Sequence, residues 1–193
     1  MDNDFIKKIG FRRLNEKDKE LFIKLRMLFL SELFDNTNES DMIQIEKSIR
    51  TYFDDHINKN DFIGMIGECE GNIVSVACIV MSDFPAYPDL INGKAGTLIN
   101  VYTFPEYRKK GISKKIITEI INEAKTMGVN SITLKSTEEG YSLYKKLGFE
   151  DDNNYKGMIL KLWNMGCTSP NRIVNASLAD ARSGYEKHQP GVR

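Results

Sequence analysis

The apolar run Thr97-Leu98-Ile99-Asn100-Val101-Tyr102-Thr103 ends in a basic, glycine-containing turn, Pro105 to Ser113. That turn opens a second periodic run, Ile112 to Met127. The first run reads as a strand. The second reads as an amphipathic helix, with Ile112, Ile116, Ile117, Ile120, Ile121 and Ala124 on one face. Gly128 is a natural helix stop, and Ser131-Ile132-Thr133-Leu134-Lys135 is the next strand. A strand–helix–strand unit of this length is parallel and crosses over right-handed, so the chain is committed to a sheet carrying a helix on its face. The turn also collects free backbone N–H groups at the positive end of a helix dipole, which suits a phosphate or pyrophosphate.

The remaining segments fill out an α/β architecture. Phe11-Arg12-Arg13-Leu14 reads as a first strand, and Asn15 as the N-cap of a helix carrying Leu21, Phe22, Leu25, Leu28, Phe29 and Leu33. A second helix begins near Ser40, with Ile43, Ile45, Ile49, Phe53 and Ile57 as apolar positions. Phe62–Cys69 and Ile73–Met81, joined by Glu70-Gly71-Asn72, read as a hairpin. After the motif helix come a short helix from Glu138 to Leu147, a strand starting at Phe149, and a closing strand from Met158 to Trp163. Residues 164–193 are rich in Gly, Ser, Asn, Pro and charge and read as a mobile tail, leaving residues 1–163 as the domain.

Composition narrows the function classes. Lys plus Arg and Asp plus Glu each total 27 in 193 residues, so any anion site must be local, and neither nucleic acid nor an anionic membrane is expected as a partner. No apolar run approaches the ~20 residues that span a bilayer. The opening Met1-Asp2-Asn3-Asp4 lacks the layout of a signal peptide, so the cytoplasm is the expected address. Cys69, Cys78 and Cys167 have no paired metal-ligand spacing, and the first two read as buried, inert thiols. With His56 and His188 the only histidines, a multi-histidine metal centre is not available and no metal is expected.

The element order, together with two motifs, resembles the GNAT acyltransferase superfamily. Arg108-Lys109-Lys110-Gly111-Ile112-Ser113 is similar to that family's R/Q-x-x-G-x-G/A pyrophosphate motif, with Ser113 in place of the commoner Gly or Ala. Leu143-Tyr144-Lys145-Lys146-Leu147-Gly148-Phe149 is similar to its second signature. The resemblance covers about residues 11 to 163. It implies a central, mostly antiparallel sheet with one parallel unit and helices on both faces. It also implies acetyl-CoA as acyl donor and a small-molecule or peptide amine as acceptor; a homodimer is left open.

Residue roles follow from the same resemblance. Diphosphate donors would run from Lys109 through Lys110, Gly111, Ile112 and Ser113 to Lys114, with Arg108 adding attraction. The pantetheine arm would pair with the backbone of Val101 and Thr103. Tyr144 is the candidate acid for the departing thiolate, and the oxyanion donor would be a strand N–H near Val101 or Tyr102. Many relatives carry Glu near mid-strand where this chain has Asn100, which can orient an amine or a water but cannot take a proton at neutral pH. Thr137 stands where relatives often have Asn and can offer a hydroxyl to the cofactor. Asp54, Asp55, Asp83 and Asp89, with Phe84, Tyr87 and Tyr102, are the residues expected to frame a cationic acceptor.

The expected activity is therefore direct acetyl transfer from acetyl-CoA to a primary amine in a ternary complex. Two other readings stay open: a degenerate CoA-binding regulatory module, suggested by the missing strand carboxylate, and a nucleic-acid-binding domain using the Arg108–Lys115 patch.

Overall fold

The computed structural model describes residues 3–34, 37–152, 158 and 160. Residues up to Glu150 form one compact unit, and a second unit begins at Asp151. In chain order the elements are α1 (Asn3–Lys7), β1 (Ile9–Arg13), α2 (Lys19–Leu33), α3 (Glu39–His56), β2 (Phe62–Cys69), β3 (Asn72–Asp83), β4 (Lys94–Thr103), α4 (Ile112–Thr126), β5 (Ser131–Thr133) and α5 (Glu138–Lys146). The sheet order is β1-β2-β3-β4-β5, antiparallel as far as β4 and parallel between β4 and β5.

Strand alternation divides the core into two layers. Phe62, Ile66, Val76, Cys78 and Tyr102 face one way and pack with Phe22, Ile23 and Leu25 of α2 and Phe53 of α3. Ile63, Met65, Ala77, Ile79 and Leu98 face the other way, against Ile116, Ile117, Ile120 and Ala124 of α4. The isoleucine stripe foreseen on α4 is the buried one. Each such side chain stabilises the fold by roughly 1.5–3 kcal/mol when removed from water. The expected mixed sheet with helices on both faces is observed.

Several boundaries differ from expectation. Asn15 caps a 3-10 turn, Glu16–Asp18, through a capping box with Asp18, and α2 follows that turn. The motif strand starts at Lys94 rather than Thr97, because Gly96 pairs with both Met81 and Ile132. A Cβ at Gly96 would lie 2.6 Å from Ile79 Cδ1, so this glycine marks close packing inside the strand.

Of the strand expected from Phe149, residues 149–152 are not in a strand, and 153–157 lie outside the described residues. The Phe149 N–H donates to the Tyr144 carbonyl at 3.0 Å, and its ring meets that of Tyr144 edge-on at 5.8 Å, as part of the stop that closes α5. The strand expected from Met158 to Trp163 lies outside the described residues except for Met158 and Leu160, neither of which is in a strand. The tail from 164 to 193 lies wholly outside them.

Candidate active site

Strands β4 and β5 pair only from Ala95 to Thr97, opposite Ser131 to Thr133. Beyond Thr97, β4 continues to Thr103 with no β5 partner in register. On its other edge the register against β3 slips between Val76 and Cys78, which pair with Tyr102 and Ile99. Asn100 and Val101 have no β3 partner across that bulge. Asn100 takes φ 52°, a left-handed conformation that Asn tolerates better than most residues. The bulge thus opens the backbone of β4 at the place where the sequence departs from the usual carboxylate. Asn100 is 3% exposed and its Nδ2 has no oxygen or nitrogen acceptor, facing only the Cys78 sulfur.

The basic turn follows directly. Lys109 and Gly111 both have positive φ, 61° and 85°, a pattern that turns successive N–H groups toward a common concavity. α4 starts at Gly111 with no side-chain cap and no acidic residue in its first turn. By contrast, Asn38 caps α3 and Thr137 caps α5 through side-chain acceptors. The first-turn N–H groups of Ile112, Ser113 and Lys114 have no acceptor within the helix, which makes this end electropositive. A Cβ at Gly111 would lie 2.9 Å from Ile6 Cδ1, so the turn is closely backed by α1.

Hydroxyls tie the turn to the sheet. Thr103 Oγ1 lies 2.9 Å from Ser113 Oγ and 3.0 Å from Ser75 Oγ, and Ser75 Oγ also donates to the Tyr102 carbonyl at 2.9 Å. The cations of the turn do not act alike. Arg108 folds back, donating from Nε to the Thr103 carbonyl at 2.9 Å and from Nη2 to Glu32 at 2.8 Å. Lys110 Nζ sits over the rings of Phe5 and Tyr107, at 4.8 and 5.4 Å from their centroids.

On the α2 face of the sheet, Tyr102 Oη donates to Glu32, the same carboxylate that Arg108 holds. The Tyr102 hydrogen bond, followed by Arg108, holds Glu32 below the ordinary carboxylate range, so Glu32 is ionised at neutral pH. Burial, reinforced by Glu32, pushes the Tyr102 phenol up to about 12. Nearly two turns away along α2, Arg26 stacks over Phe29 at 5.7 Å and reaches Asn100 Oδ1 with a long 3.4 Å hydrogen bond. Burial lowers the pKa of Arg26. It also pushes the neighbouring Cys78 thiol up to about 12 and keeps it neutral. Cys69 and Cys78 are buried free thiols, as expected.

On the α4 face, Tyr144 and Val101 pack against the same apolar cluster. Burial raises the Tyr144 phenol above its ordinary value, so it stays protonated through neutral pH. Thr137, expected to offer its hydroxyl to the cofactor, accepts from Gly140 N–H at 3.3 Å as the α5 cap; its own O–H can still donate.

The residues expected to frame an acceptor are scattered. Asp54 is paired with Lys19 at 2.6 Å, Phe84 and Tyr87 are exposed, and only Tyr102 stands beside the bulge. A polar cavity of about 490 Å³, lined by Arg13, Asp61, Asp83, Lys94 and Met127 among others, lies where β4 begins and α4 ends, at the far end of both from the turn. Sequence reading missed Arg26 and Glu32. They flank Phe29 at three-residue spacing along α2, at the edge of the apolar face used to recognise that helix.

Among solved structures, the chain is similar to a predicted acetyltransferase from Clostridium acetobutylicum, crystallised with acetyl-CoA. The two are 28% identical at a TM-score of 0.71, over 78% of this chain and 96% of that one. A GCN5-related N-acetyltransferase from Ralstonia eutropha shares the fold at a TM-score of 0.68 and 20% identity, over 78% of this chain and 98% of that one. Among curated proteins, it is 34% identical over 68 residues to the uncharacterised N-acetyltransferase ycf52 of Pyropia yezoensis, a match covering 35% of this chain. The matched region spans only 39% of that relative's length. Residues 25–149 match the model of the acetyltransferase (GNAT) family, and with the greater part of the sequence inside that match the chain belongs to this family.

Proposed function

We propose that the protein is an acetyl-CoA-dependent N-acetyltransferase that moves an acetyl group to a primary amine by direct transfer in a ternary complex. The observation that carries this reading is the uncapped, electropositive start of α4 beside a β4 edge that, among the described residues, has no strand partner beyond Thr97. The residues fit the donor. Lys109 to Lys114 present backbone N–H groups for the diphosphate, helped by the glycine at position 111. Val101 and Thr103, beyond the last β4–β5 pair, offer backbone groups to an extended pantetheine arm. When bound, acetyl-CoA supplies a thioester-activated acetyl group.

The protein's own groups then have separable tasks. The backbone N–H of Val101 or Tyr102 at the bulge polarises the acyl oxygen. Asn100 orients the acceptor or a water through its amide. The amine forms the C–N bond and releases its proton to water, while the C–S bond breaks. Tyr144, protonated at neutral pH, donates its phenolic proton to the departing sulfur.

An amine-panel acetylation assay with free-thiol detection tests the reading. Turnover with at least one primary amine, lost in Gly111→Glu, is expected. Saturable CoA binding without turnover on any amine would instead establish a degenerate CoA-binding module.

A further inference from the structure

Among the described residues, Arg26 is a cation without a countercharge. Its guanidinium is half-buried on the α2 face, and among the described residues no carboxylate lies within salt-bridge distance of it. The other arginines noted here, Arg12, Arg13, Arg50 and Arg108, each hold at least one carboxylate. Its neighbours are the Phe29 ring, the Asn100 carbonyl oxygen and the neutral Cys78 thiol. Glu32, two turns along the same helix, is occupied by Tyr102 and Arg108. Taking a guanidinium out of water without a partner is costly, and proteins normally offset that cost with a pair.

A second donor at the same place has only a weak partner. Asn100 is 3% exposed, its Oδ1 turns to Arg26, and its Nδ2 has no oxygen or nitrogen acceptor, only the sulfur of Cys78, a weak acceptor. The left-handed backbone at Asn100 holds that amide at the bulge. A planar cation and an amide donor side by side make a receptor for an oxyanion. The diphosphate turn is not its source. Asn100 precedes Thr103 by three residues, about 10 Å along a strand, and the turn lies beyond that.

We propose that Arg26, with Asn100 Nδ2, binds an oxyanion group of the acceptor, so that the substrate is a small amine carrying a carboxylate or phosphate within a few bonds of its amino group. The inference rests on the acetyltransferase reading for the word acceptor. The oxyanion site itself can be measured without turnover. Arg26 then acts as the specificity determinant: it anchors the acidic end, while the amine faces the Val101 backbone where the acyl group is expected.

Calorimetry on the full chain, with and without CoA, tests this using two matched pairs: glycine against glycinamide, and phosphoethanolamine against ethanolamine. At least one acidic member is expected to bind about tenfold or more tighter than its neutral partner, as a charge-assisted hydrogen bond warrants. Which pair shows the preference identifies carboxylate or phosphate. The preference should fall below about threefold in Arg26→Gln and survive in weakened form in Arg26→Lys, which keeps the charge but loses the fork. If neither acidic probe is preferred, or if the preference persists in Arg26→Gln, the assignment is overturned. CoA binding, titrated separately, fails only if the acetyltransferase reading fails.

Discussion

Thr103 Oγ1 and Ser113 Oγ stand 2.9 Å apart, joining the last residue of β4 to the first turn of α4. Ser113 occupies the position where the family motif more often has Gly or Ala, and its hydroxyl extends a buried pair, Ser75 and Thr103, into the glycine turn. The substitution adds a strand-to-helix tether while leaving the backbone N–H in place.

Ser113→Ala should therefore cost about 0.5–1.5 kcal/mol of stability, the net worth of one hydrogen bond. CoA affinity should change by less than about threefold, since the amide donor is retained. Urea unfolding and calorimetry on the same variant separate the two effects.

Gly111 is constrained twice, by a φ of 85° and by Ile6, whose Cδ1 would lie 2.9 Å from an added Cβ. Gly111→Ala should lose about 1–2 kcal/mol from the left-handed backbone alone. Gly111→Glu adds negative charge to the turn and should abolish CoA binding. Affinity unchanged in Gly111→Glu would remove the turn from the site.

Tyr144→Phe removes the proposed acid but keeps the ring against Phe149. Turnover should fall about 10²-fold or more, the usual worth of a general acid, with CoA affinity nearly unchanged. Because burial raises this phenol above its ordinary pKa of 10, its acid form should persist to strongly alkaline pH in the wild type. Normal turnover in the phenylalanine variant would reassign Tyr144 to packing.

Asp18 is a buried, acid-sensitive group of the fold. It is 7% exposed and accepts from Arg12 Nη1 at 2.8 Å, Arg12 Nη2 at 2.9 Å and Asn15 N–H at 2.9 Å. Arg12 holds its carboxyl below the ordinary 3.8. A depressed folded pKa adds stability that is fully present above the ordinary value and is lost as pH falls through the folded one. Asp18→Asn should lower stability at pH 7 by about 1–3 kcal/mol and flatten the acid limb of a stability–pH curve.

The parts of this molecule that repeat were legible in its residues. The isoleucine stripe of α4, the hairpin of β2 and β3, and the glycine turn each follow from periodicity or turn chemistry, and each is observed. What depends on tertiary approach was not. Asn100 was noticed as a missing carboxylate, but its left-handed conformation arises from a register slip against β3, which no local pattern encodes. Arg26 and Glu32 reach Asn100 and Tyr102 only because α2 lies across the bulge, so their partners are residues some 70 positions away. The brevity of β5 likewise reflects its divergence from β4 rather than its own apolar run.

Backbone amide shifts of the labelled protein titrated with CoA report most directly on where the diphosphate sits. The account predicts saturable one-to-one changes centred on Lys109 to Lys114, with the turn amide protons moving downfield and further shifts at Val101 and Thr103. Shifts confined to the cavity near Arg13 and Lys94, or none at saturating CoA, would contradict it.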